Sequence, residues 1–100
     1  MKKNDYIREL RKIIPMYKTR SYNEWKERIG KDSEKVEYKS RNGTICQIFI
    51  SATWNKNPDG IIKISFAIDH GGWASFFPFA VSVCINSNNE YLSDSLEELS

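Results

Sequence analysis

One hundred residues, 40% of them apolar and 28% charged, describe one globular α+β-sized domain over 1–100, large enough to bury a modest core. No run approaches the roughly 20 apolar residues a membrane helix needs, and the charges within Asn4-Asp5-Tyr6-Ile7-Arg8-Glu9 exclude a signal peptide, so a cytoplasmic chain is expected. The net charge of +2 conceals a split: residues 1–42 carry 13 Lys/Arg against 7 Asp/Glu, and residues 43–100 carry 2 against 6, which hints at a charged partner.

Residues 4–14 predict an amphipathic helix, with Asn4 as N-cap and Tyr6, Ile7, Leu10, Ile13 and Ile14 in one apolar stripe. Pro15 is expected to stop it, because proline disfavours helical geometry at the preceding residue and has no N–H to give. A second helix is expected over 22–29, opened by the capping-box pair Ser21 and Glu24 and closed by Gly30, with Tyr22, Trp25 and Ile29 on its core face.

The period then changes from helical to alternating. Val36 and Tyr38 alternate with Glu37 and Lys39, and Asn42-Gly43 suits a type I′ hairpin turn. A strand over 44–54 points Cys46, Ile48, Ile50, Ala52 and Trp54 one way. After the polar loop 55–60, a strand over 61–69 points Ile62, Ile64, Phe66 and Ile68 inward. A fourth strand spans 76–85, with Phe79, Val81, Val83 and Ile85 inward; Ser87-Asn88-Asn89 forms a turn, and Leu92, Leu96 and Leu99 suggest a short closing helix. The links between strands are too short for crossover helices. The expected fold is therefore α+β: two N-terminal helices packed on a four-stranded antiparallel meander, with a short C-terminal helix.

Little in the chain suggests chemistry. His70 is the one histidine, and its neighbour Asp69 points to the opposite side of an extended chain, so adjacency makes no dyad. One histidine and two separated cysteines make no zinc set, and no phosphate-binding glycine motif occurs, so no catalytic residue, metal or cofactor is expected. Cys46 and Cys84 are expected as reduced, buried thiols. Arg8, Arg11, Lys12, Lys18, Arg20, Lys26 and Arg28 form a basic series that could track phosphates, but Glu9, Glu24 and Glu27 interrupt it.

The densest feature is Asp69-His-Gly-Gly-Trp73-Ala-Ser-Phe76-Phe77-Pro78-Phe79, where paired glycines deliver several aromatic rings to one place. Adjacent residues of an extended chain face opposite sides, so either some of these rings are covered by a helix or part of the cluster is exposed as an interface anchor. The segment resembles the D-x-G-G-W-x-x-F-F-P motif of an uncharacterised family of small bacterial domains, with Trp54 to Gly60 matching an upstream W-x-x-x-P-x-G element. That resemblance implies a fold and no catalytic residues. By type, the chain is similar to the small immunity proteins of bacterial toxin systems.

The expected function is accordingly that of a non-enzymatic protein that binds and neutralises a toxin domain, a nuclease being one candidate. Asp59, Asp69, His70, Trp73, Phe76, Glu90, Asp94, Glu97 and Glu98 are the expected contact residues, because carboxylates complement a cationic substrate cleft. The alternative is a small nucleic-acid-binding or regulatory domain that uses the basic first half. The sequence sets no oligomeric state.

Overall fold

A computed structural model of the chain describes residues 3–39, 43, 45–69 and 79–92, without the side chains of 3–6, 69 and 79. Helices α1 (Lys3–Tyr17) and α2 (Tyr22–Lys26) precede strands β1 (Glu34–Lys39), β2 (Ile45–Trp54), β3 (Ile62–Asp69) and β4 (Phe79–Ile85). The strands pair antiparallel in the order β1-β2-β3-β4, the meander expected of an α+β fold.

One face of the sheet and both helices contribute to a single apolar cluster. Ile7, Leu10, Ile13 and Ile14 of α1 and Tyr22 and Trp25 of α2 are buried together with Cys46, Ile48 and Ile50, with Ile62, Ile64, Phe66 and Ile68, and with Val81, Val83 and Ile85. The strand residues among them share a face because side chains alternate across a pleated strand. The opposite face is mixed: Gln47, Phe49, Ser51, Ser65, Ala67, Ser82 and Cys84 are half-buried there, and Ile45, Thr53, Lys63 and Ala80 are exposed. Cys46 is buried as expected, whereas Cys84 is only partly so, and the register puts the two free thiols on opposite faces.

α1 begins at Lys3, so Asn4 lies within the helix rather than capping it, and three further features differ from the sequence expectation. α1 does not stop at Pro15 but continues to Tyr17. A proline this near the helix end forfeits a single backbone bond, to the Arg11 carbonyl. The extra turn in return brings Tyr17 edge-on to Phe66, with ring centroids 5.9 Å apart. α2 has the expected capping box, with Glu24 N donating to Ser21 Oγ at 3.3 Å and Ser21 N to Glu24 Oε1 at 3.4 Å. It ends at Lys26 rather than 29, because the chain tightens there: Arg28 N bonds Trp25 O at 2.9 Å and Ile29 N bonds Lys26 O at 3.2 Å, three residues back rather than four. Gly30 closes the turn at φ +82°.

The third difference is one of register. Lys39 pairs with Ile45, leaving five residues between them, whereas a two-residue turn at Asn42-Gly43 leaves an even number. Gly43 nonetheless has the positive φ, +88°, that the sequence suggested. After β4, residues 86–90 turn back, and Tyr91 bridges Ile85. Leu92, the first leucine of the spacing that suggests a closing helix, is exposed and donates its N–H to Cys84 O at 2.8 Å. The rest of that helix, and the beginning of the expected fourth strand at 76–78, lie outside the described residues. No helix among the described residues is long and apolar enough to cross a membrane.

Candidate binding surface

Polar bonds fix one end of the sheet, where β2 and β4 finish and β3 begins. Arg20, just after α1, lies against the rings of both Tyr17 and Trp25, its guanidinium carbon 4.9 and 4.8 Å from their centroids. Its two terminal nitrogens donate to Glu34 of β1, Nη1 to Oε2 at 2.6 Å and Nη2 to Oε1 at 3.0 Å. That forked bond holds the Glu34 carboxyl below the usual carboxylate range and raises Arg20 further. Trp25 Nε1 donates to the Tyr91 hydroxyl at 2.9 Å, which itself donates to Arg20 O at 2.7 Å. Burial pushes the Tyr91 phenol up.

Tyr22 joins two loops to this frame. Its hydroxyl donates to Gly60 O at 2.7 Å, in the β2–β3 loop, and its backbone N–H donates to Asn89 Oδ1 at 2.8 Å, in the turn after β4. Both loops bend through the left-handed region, at Asp59 (φ 65°) and Asn89 (φ 63°), residue types that tolerate it better than most. Asn86 Oδ1 secures the second turn by accepting from Asn88 N and Glu90 N at 2.9 and 3.0 Å. Asp59 and Glu90 are therefore carried on loops anchored to the same tyrosine, and both are exposed. Asn55, Lys56, Asn57, Gly60 and Ile61 line a shallow depression of about 250 Å³ on the first loop.

The other expected contact residues divide by position. Asp69 ends β3 at the far end of the sheet, seven residue steps from Ile62 or about 23 Å. It is not brought together with Asp59 and Glu90. His70, Trp73, Phe76, Asp94, Glu97 and Glu98 lie outside the described residues, as does the rest of the segment that carries the family resemblance. Among the described residues no group of three or more His, Cys, Asp or Glu could hold a metal ion.

Several members of the basic series are engaged within the fold. Arg20 binds Glu34, Lys26 Nζ lies 2.7 Å from Asp59 Oδ1, and Arg28 donates to Asp32 O at 2.7 Å. Lys18 sits over the Tyr91 ring at 6.0 Å. Arg8, Arg11 and Lys12 are exposed on α1 as expected. Glu9 is not the exposed interruption the sequence suggested: it is 2% exposed, with Oε2 3.9 Å from Lys12 Nζ, and its hydrogen bond with Tyr38 of β1 raises the tyrosine's pKa.

No family model, curated protein or solved structure matches this chain.

Proposed function

We propose that this chain is a cytoplasmic, non-enzymatic protein of the immunity type, which binds a toxin domain and blocks it by contact. The observation that carries the reading is the Tyr22 clamp. It fixes two loops, each bearing an exposed carboxylate, on one rim of the sheet. A pre-ordered acidic rim loses little entropy on binding and complements a cationic cleft such as a nuclease presents. The Lys26–Asp59 pair does not oppose this: both side chains are largely in water, where such pairs contribute little and a partner's cation can replace Lys26. A short helix after Leu92, as the leucine spacing suggests, would add Asp94, Glu97 and Glu98 beside Glu90. Asp69, His70, Trp73 and Phe76 would then form a separate contact at the far end of β3. The engagement of Arg20, Lys26 and Arg28 within the fold weakens the nucleic-acid alternative.

If a toxin domain is encoded beside this chain, co-expression of the two tests the proposal. Relief of growth arrest and co-purification of the two chains are expected. Unrelieved arrest together with no complex would overturn it, and a mobility shift of RNA or duplex DNA at low salt would favour the basic first half as the functional surface.

A further inference from the structure

β1 is an edge strand, and the described residues place no strand on its outer side. The direction of its backbone groups follows from the ladder. Asn55 N donates to Ile61 O at 2.8 Å, so the odd-numbered residues of β2 turn their N–H and C=O toward β3. The turn after β4 agrees: Leu92 N donates to Cys84 O and Asn86 N to Glu90 O, so Val81, Val83 and Ile85 face β3. The even-numbered residues of β2 therefore face β1, where Ile50, Ile48 and Cys46 stand opposite Glu34, Val36 and Tyr38. That leaves the N–H and C=O groups of Lys35, Glu37 and Lys39 directed away from the sheet, and all three side chains are exposed.

An open edge of this kind is a template for another strand, and natural edges are usually blunted by charge. Here the charges alternate in sign. We propose that this edge is the seam of a symmetric dimer, in which β1 of a second copy pairs antiparallel with Val36 opposite Val36. This register sets Lys35 opposite Glu37 on both sides of the two-fold axis, with the outward-directed backbone groups of the two residues meeting across the seam. The neighbouring registers with the same backbone match oppose like charges: centring on Glu37 sets Lys35 against Lys39 and Glu37 against itself, and centring on Lys35 sets that residue against itself. Centring on Tyr38 also opposes unlike charges, Glu37 against Lys39, but it pairs only residues 37–39 of the two strands, whereas the Val36 register pairs residues 34–38. Charge and strand overlap together favour the Val36 register, and two four-stranded sheets become one of eight strands.

Light scattering coupled to size exclusion over a dilution series tests the seam. The unaltered chain should run as a dimer that dissociates on dilution. Lys35→Glu alone or Glu37→Lys alone should weaken the dimer at least about tenfold, since each reverses two symmetry-related pairs. Combining both substitutions should restore it. Hydrogen exchange gives an independent reading: the amides of Lys35, Glu37 and Lys39 should become protected as concentration rises, while those of Glu34, Val36 and Tyr38 stay protected throughout. A monomer at every concentration, which would leave the edge to a strand of another protein, overturns the proposal. So does a dimer indifferent to both single reversals, or exchange of the outward amides that ignores concentration.

Discussion

Glu34 sits where the helical and strand halves of the chain are tied together, accepting both arms of the Arg20 guanidinium. Because that bond lowers the carboxyl's pKa, folding favours the ionised form. The stabilisation is full above the ordinary carboxylate range and is lost as pH falls through the lowered folded value. Glu34→Gln should therefore cost about 1–2 kcal/mol near neutral pH. The gap between the two proteins should narrow as the pH is taken into the acid range, which urea unfolding at a series of pH values would measure. Tyr22→Phe removes one hydrogen bond, to Gly60 O, and should cost about 1 kcal/mol. Amide exchange in the Asp59 loop should quicken more than exchange in the sheet. Neither bond was legible beforehand. The Arg20–Glu34 pair spans 14 residues and Tyr22–Gly60 spans 38, and both depend on how separate elements meet. Glu9 left a fainter signal: on the helical wheel it lies about 40° beyond Ile13, at the border of the apolar stripe.

The elements themselves followed from local rules. Alternation located β1, β2 and β3, and Ser21 with Glu24 located the start of α2, because pleat and capping act within a few residues. Where a local rule met a tertiary contact, the contact decided the boundary. Pro15 marked a stop by its own chemistry, yet the packing of Tyr17 on Phe66 carries the helix past it. Pro15→Ala should thus stabilise the fold by about 1 kcal/mol, restoring an N–H for the Arg11 carbonyl in a helix that already exists. Thermal unfolding reads this as a higher midpoint, and a lower midpoint would show that Pro15 serves the helix end in another way. The β1–β2 register is a second such case: Asn-Gly suggested a two-residue turn, but the pairing that buries Cys46 and Ile48 leaves an odd number of residues in the link.

At the scale of the molecule, the α+β class was legible because the change from helical to alternating period is strong. The site was legible only in part. Composition identified Asp59 and Glu90 as accessible acids, but only the fold shows that they share a rim while Asp69 stands at the other end of β3. The basic first half also reads differently once folded, since Arg20 ties α1 to β1 through Glu34, while Lys26 and Arg28 already have partners on the surface, Asp59 and the Asp32 carbonyl.

If the rim held by Tyr22 is the docking surface, the affinity of a toxin domain that co-purifies with this chain for charge-reversed variants tests it most directly. Titration calorimetry should show that Asp59→Lys and Glu90→Lys each weaken binding at least about tenfold, as expected when one side of a complementary charge pair is inverted. Arg8→Glu and Lys12→Glu, on the exposed side of α1, should leave the affinity within a factor of about three. Binding that survives reversal of both rim carboxylates, or that is lost with the basic residues of α1 instead, would contradict the account.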